Sequence, residues 1–359
     1  MFYLNKFNKY IRLYIFFLGS ILFLNLILTS NSYGNTFKII NIEVSEEFDL
    51  NFKKEKIYEK AFRKAFEELI SKITISENKK RLKNVNIFDV KRLIDSFNIG
   101  EEEFMHNKYF AKFNVNFNRK KVIFFLENQN IYTSSPQKVD VLFIPILIRG
   151  KKEELIIFEN NPFYKNWNED SEKDSLINYV LPIEDIEDRK ILMSNIDMLE
   201  EYDFREFLNK YNLENYITQI IYFENNNLRI LTKINLKNDK STISKNYKDI
   251  QIDDQVFLNR FINELKINYE DKWKKLNVIN TSIKLPINLS LSSSSYKKIK
   301  LFEKTLDGFD FVYEFNIDYF DNENIFYNIV YNGSPKNFLT QMDDRGLVVE
   351  KQNEIWSIK

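Results

Sequence analysis

Beyond residue 34 the apolar residues switch between two periodicities, and the switches divide the chain into elements. Ile40, Ile42 and Val44 share one face of a predicted strand from Phe37 to Val44. Ile57, Ala61, Phe62, Ala65, Phe66, Leu69, Ile70 and Ile73 then recur at helical spacing, with Lys and Glu on the opposite side. A second helix is predicted from about Ile87 to Phe97, ending near Gly100. Tyr109, Ala111, Phe113, Val115 and Phe117 alternate with Phe110, Lys112, Asn114 and Asn116, the period of a half-buried strand, and a helix from Arg119 to Asn128 follows. Strand, helix, helix, strand, helix make a first α+β module over 35–135, ending at a Ser-Ser-Pro linker around Ser134 to Pro136.

The second module, 136–280, opens with Val139 to Ile148, a nearly continuous apolar run of the kind buried on both faces of a mixed or parallel sheet. A polar, aromatic stretch from Glu159 to Asp174 leads to helical segments near Leu176 to Val180 and Phe204 to Tyr211. Strands Tyr216 to Phe223 and Leu228 to Leu236 are joined as a hairpin by Glu224 to Asn227, and a long amphipathic helix runs from about Asp254 to Leu276. In the third module, 281–359, Ile283, Leu285, Ile287, Leu289 and Leu291 alternate strictly, and Ser293 to Ser295 cap a helix carrying Tyr296, Ile299 and Phe302. Strands Val312 to Tyr319 and Ile325 to Tyr331 follow, then a turn at Asn332-Gly333, a helix from Pro335 to Met342 ended by Gly346, and a strand Leu347 to Glu350 that Ile355 to Ile358 can pair. Strand, helix, two strands, helix, strand is the βαββαβ order of a ferredoxin-like unit.

Residues 1–34 follow a different pattern. Lys6, Lys9 and Arg12 precede an apolar run from Leu13 to Leu28, and small or polar residues from Thr29 to Gly34 follow it. That order is expected of a secretory signal cleaved before Asn35. The alternative is a retained anchor, since Ile11 to Ser30 is long enough to cross a bilayer core of about 30 Å. Both place the body outside the inner membrane, periplasmic or anchored to it; a buried core helix fits the basic flank poorly. The expected fold class is therefore α+β, a signal or anchor helix followed by three small α/β modules.

Composition then removes chemistries. Lys plus Arg equals Asp plus Glu, 52 each, so no net field draws nucleic acid to the body. Zero Cys excludes disulfides, thiolate metal sites and cysteine nucleophiles, and the single His, His106, excludes a two-His metal site. The 33 Phe and 20 Tyr accompany abundant Asn, Lys and Ile, the bias of an A+T-rich genome, and do not by themselves mark a binding surface. The seven glycines are scattered, which argues against a phosphate-cradling loop. Acidic clusters at Glu101-Glu102-Glu103, Glu184 to Asp188, Asp253-Asp254 and Asp343-Asp344 read as solvated helix ends and turns, with Asp253-Asp254 a helix cap. His106 reads as a loop or strand-edge residue, Trp167, Trp273 and Trp356 as core, and Ser292 to Ser295 as loop and cap. No catalytic, cofactor-binding or metal-ligating residue is assigned, and no cofactor.

AFRKAFEELISKI at 61–73, YFAKFNVNFNRKKVIFFL at 109–126, VDVLFIPILI at 139–148 and IVYNGSPKNFLTQMDDRGLVVE at 329–350 resemble segments of an exported Gram-negative family catalogued as domain of unknown function number 2066. The resemblance spans most of the chain beyond residue 35 and implies export; the family carries no assigned activity, so it transfers no functional residue. The middle module is similar, in fold alone, to the amino-terminal domain of the Tol translocation protein TolB, which hints at envelope assembly. The expectation is a non-catalytic periplasmic scaffold or adaptor with envelope proteins as partners. Its rivals are a carboxylate hydrolase acting on glycan or peptidoglycan, and an inner-membrane-anchored subunit touching the membrane only through residues 11–30. Sheet edges of the third module and the groove between modules are where a partner strand could add. Nucleic acid is not expected, and oligomeric state is left open.

Overall fold

The computed structural model describes residues 37–359 apart from 51, 151–153, 170–174, 280–283, 310, 353–354 and 359. The expected signal or anchor at 1–34, with its span at 11–30, lies outside the described residues, as does Ile283. Among the described residues the fold is mixed α+β, with ten α-helices and three sheets, and no helix is long and apolar enough to cross a membrane.

The first sheet is antiparallel throughout, in the order β1 (Lys38–Glu47), β3 (Lys108–Phe117), β2 (Ile94–Met105). Its alternating residues Tyr109, Ala111, Phe113, Val115 and Phe117 are buried against the apolar stripe of α1 (Lys54–Ile73). Helices α2 (Ser76–Leu82), α3 (Ile87–Leu93) and α4 (Arg119–Glu127) close that core. The helix predicted to reach Phe97 stops at Leu93, and β2 is a strand that the sequence pattern did not show. The physical reason is its place at the sheet edge. It buries little, and its register shifts between Ile94 and Ser96 and again between Ile99 and Glu101, so no period-two signal survives. Glu101, Glu102 and Glu103 consequently stand on a strand rather than at a helix end.

The central sheet runs β5 (Glu154–Ile156), β4 (Val139–Arg149), β7 (Tyr216–Glu224), β8 (Asn227–Leu236), β9 (Asp239–Tyr247). A further strand, β6 (Ile177–Val180), pairs in parallel with Val139 to Leu142 of β4, on the edge that β5 occupies further along. Leu176 to Val180 was expected to be helical. Five residues are too few to show a helical repeat, and it is the open edge of β4 that makes this segment a strand. Helices α5 (Pro162–Asn166) and α8 (Gln255–Leu276) cover one face with Phe163, Phe261 and Trp273, while α6 (Ile186–Ser194) and α7 (Arg205–Tyr211) cover the other with Leu192, Phe207 and Leu208. Two covered faces explain the continuous apolar run of β4.

The Ser-Ser-Pro segment is a clamp rather than a solvated linker. Thr133, Ser134 and Ser135 are buried. Ser134 N donates to Ile73 O (2.7 Å), Ser135 N to Asn277 O (2.9 Å) and Ile279 N to Thr133 O (2.8 Å). Beside it, Asp271 of α8 accepts from Ser76 N (2.8 Å) at the start of α2, and the buried Lys274 amine donates to Ser71 O. Unpaired backbone groups at a junction are costly once buried, so the bridge ties the first and central sheets into one unit.

The third sheet runs β11 (Val312–Phe320), β12 (Asn324–Tyr331), β10 (Leu285–Ser292), β14 (Ile355–Ile358), β13 (Val349–Gln352). Helix α9 (Tyr296–Asp307) links β10 to β11 with β12 between them, as expected of a split βαβ unit. Helix α10 (Pro335–Asp343) links β12 to β13, but β13 is displaced outward from the place a four-stranded unit would give it. The position beside β10 is taken by β14, parallel to β10, which buries Trp356 and Ile358 there.

Candidate functional site

Three of the four acidic clusters sit at helix ends. Asp185 caps α6 by accepting from Glu187 N (2.7 Å), and Lys210 bridges Asp185 (2.6 Å) and Asp188 (2.9 Å). The Lys210 hydrogen bond, followed by the Glu187 amide, holds the Asp185 carboxyl below its ordinary value. Asp254 caps α8 by accepting from Phe257 N (2.9 Å), and Asp253 pairs with Arg149 at 3.3 Å. Asp343 ends α10 and Asp344 is its C-cap, ahead of Gly346 at φ +72°. Ser295 caps α9, with Lys298 N donating to its hydroxyl. Trp167, Trp273 and Trp356 are all buried. Among the described residues no three His, Asp or Glu side chains are placed to hold a metal ion.

A sheet wound in both directions holds its ligand in the crevice outside the carboxyl ends of parallel strands, where connections leave to opposite faces. Here the chain leaves β4 through the edge strand β5 before reaching α5 and leaves β6 for the α6 face, and Phe143 to Ile146 of β4 form a gap in the edge between β6 and β5. Pro145, which has no N–H to pair, lies in this gap. The buried Asn161 fills it: its Nδ2 donates to Pro145 O (3.0 Å) and its Oδ1 accepts from Phe163 N (2.9 Å), capping α5. Tyr164 OH donates to Pro182 O (2.8 Å), and Trp167 stacks on Phe143 with ring centroids 3.6 Å apart. Deeper in, the Tyr269 hydroxyl accepts from Gln219 Nε2, and burial pushes it up to about 12. This gap is filled by the chain's own side chains, while open grooves remain at the carboxyl ends of the strands, one of about 360 Å³ beside Arg149, Glu159 and Asp253 and one of about 590 Å³ beside Gly150, Phe223 and Asn246.

The first sheet is different. His106 and Asn107, at φ 52° and 57°, form the two-residue turn between β2 and β3, which requires left-handed backbone at both positions. Phe48 N donates to Asn107 O (2.8 Å), pinning the segment after β1 against that turn. The Phe48 ring lies 5.1 Å from Phe104 and 4.9 Å from Phe52, and Phe104 lies 5.0 Å from Tyr109. Yet Phe48, Phe104 and Met105 remain 51–61% exposed, and Leu50 is fully exposed. Contiguous exposed apolar side chains of this size mark interaction surfaces.

Next to this tip, the uncovered sheet face forms a groove of about 450 Å³, lined by Glu43, Glu101, Glu103, Met105, Phe110 and Lys112 among others. Lys112 pairs with Glu101 at 2.7 Å and Glu43 at 3.9 Å, and the Glu101 hydrogen bond raises its amine above the ordinary value. On the other face Glu102 accepts from Tyr109 OH and from Lys54 at 3.2 Å, which holds its carboxyl below the usual range. Sequence reasoning missed this site because Phe48 and Leu50 lie in a stretch without periodicity and β2 resembled a helix end. The one available signal was Phe104-Met105 adjoining His106-Asn107 at the start of a clear strand.

A scan of the chain against protein-family models finds no match, and neither does a search of the curated proteins.

Proposed function

We propose that this protein is a non-catalytic scaffold or adaptor of the cell envelope that binds another protein through the apolar tip of its first sheet. The observation that carries this is the tip itself: Phe48 and Phe104, drawn from two distant segments, meet edge to face while each stays more than half exposed, with exposed Leu50 and Met105 next to them in the chain. The acidic clusters at Glu184 to Asp188, Asp253-Asp254 and Asp343-Asp344, set at helix ends as caps and in ion pairs, favour a binding role over a catalytic one. The envelope address rests on the signal-like pattern of residues 1–34 and on the resemblance to the exported family. The three sheets are read as modules in series, the last a ferredoxin-like unit extended by β14.

The test places a photo-crosslinking amino acid at Leu50 of the full chain in living cells, with the exposed Ile183 of the central region as the control position. A small set of envelope proteins captured from Leu50 and not from Ile183 is expected, and Phe104→Ser should abolish that capture. Equal recovery from both positions, or capture unaffected by Phe104→Ser, rules the tip out as the binding surface.

A further inference from the structure

We infer that the partner engages as an extended basic segment, adding as a fourth strand to the free edge of β2; this rests on the adaptor reading and extends it. The sheet order leaves β2 outermost, exposed along nearly its whole length. An edge strand presents unpaired N–H and C=O groups that another chain can pair.

The other long edges of the described residues are blunted. In β1 a register shift between Ile39 and Ile42 puts Asn41 at φ 59°, and the Glu43 carbonyl accepts from Lys64 Nζ at 2.9 Å. On β9, Lys240 and Lys245 stand exposed, a common device against strand addition. β11 is broken by shifts between Val312 and Glu314 and between Ile317 and Tyr319. From Glu101 to Met105, by contrast, β2 keeps one register opposite Lys112 to Lys108, so five consecutive residues offer a regular template.

Charge selects the occupant. Glu101, Glu103 and Met105 face the groove, and Glu102 and Phe104 face the other side, by the alternation of a strand. Glu101 is paired with Lys112 and Glu102 with Lys54, whereas Glu103 makes no ion pair within 4.0 Å among the described residues and acts on Lys112 only at longer range, so the groove's carboxylates Glu43, Glu101 and Glu103 outnumber its amines Lys64 and Lys112. Three consecutive carboxylates repel a second copy of the same strand. They favour a segment whose alternate residues are Lys or Arg on the groove face and apolar on the face shared with Phe104. Because Phe104 belongs to both the tip and the edge, a strand added here sets its apolar residues beside the Phe48–Phe104 pair.

The experiment titrates the full chain with a blocked heptapeptide of alternating Lys and Val and follows hydrogen–deuterium exchange. Slowed exchange at Glu101 to Met105 is expected, absent with the peptide N-methylated at alternate amides and absent with a Glu–Val counterpart. Glu103→Lys should weaken binding about fivefold, the effect of one half-exposed charge pair. No slowing, or equal slowing by the N-methylated peptide, overturns strand addition. Slowing that grows with protein concentration alone would assign the edge to a second copy and also overturn it. Leu50 crosslinks that persist while the peptide leaves β2 unprotected would leave the adaptor reading standing and remove only this one. Protection of β2 without Leu50 crosslinks would do the reverse.

Discussion

In the central sheet α5 and α8 cover one face and α6 and α7 the other, so β4 is buried from Val141 to Ile148. In the first sheet α1 covers one face, while the other carries Glu43, Phe110, Lys112 and Asn114 in partial or full contact with solvent. The long strands of both sheets carry apolar residues, continuous in β4 and alternating in β3. What separates them is the number of layers. A sheet between two helical layers has used both of its faces on the fold, and the gap in its β4 edge is closed by Asn161 and Tyr164, which leaves open the grooves at its strand ends. A sheet with one layer keeps a face, an edge and a tip free for another molecule.

The largest expected effect belongs to the closed region. Trp167→Ala removes a fully buried ring stacked on Phe143 and should cost about 3–5 kcal/mol in urea unfolding. A loss below about 1 kcal/mol would mean that this face is loosely packed, and the contrast with the first sheet would weaken. Asn161→Ala comes next. It deletes a helix cap and leaves the Pro145 carbonyl without its donor, for about 2 kcal/mol in the same measurement.

Lys274 tests the joint between the two sheets. Its amine is buried against α1, and burial holds it below the ordinary lysine value against the opposing pull of Glu270. Lys274→Met should lie within about 1 kcal/mol of the native chain at neutral pH, because an apolar side chain removes a desolvated charge as well as its hydrogen bond. The pH dependence has a definite sign. Between the lowered folded value and the ordinary unfolded one, the unfolded chain holds a proton that the folded chain lacks. Native stability relative to the Met variant should therefore rise as pH climbs through the folded value and level off above the ordinary lysine range, read as the difference in urea midpoints from about pH 8 to about pH 11.

The smallest effect on stability belongs to the open region. Leu50→Ser, at a fully exposed position, should change stability by no more than about 0.5 kcal/mol while reducing partner capture. A larger loss of stability would show that the tip is part of the core, and the comparison would fail at its open end.

Elements that bury a regular face were legible in the sequence. The stripe of α1, the alternation of β3 and β10, the continuous run of β4 and the capped α8 all lie within a few residues of their predicted bounds. Elements that bury little were not. β2 and β9 are exposed edges, and β5 and β6 are too short for a period to show. The candidate site falls in this second group, because a surface kept free for a partner lacks the inward face that leaves a periodic trace.

The sequence by itself determined the mixed α+β class, the excluded cysteine and two-histidine chemistries, and the places where long helices and central strands form, since each depends on side-chain type and spacing along one segment. The tertiary structure alone decided that Ser134 is a buried clamp, that β14 displaces β13 from β10, that Asn161 closes the gap in the β4 edge, and that Phe48 meets Phe104 at an exposed tip. Those outcomes depend on which distant segments compete for the same unpaired backbone edge or the same apolar surface. Local spacing carries no record of that competition.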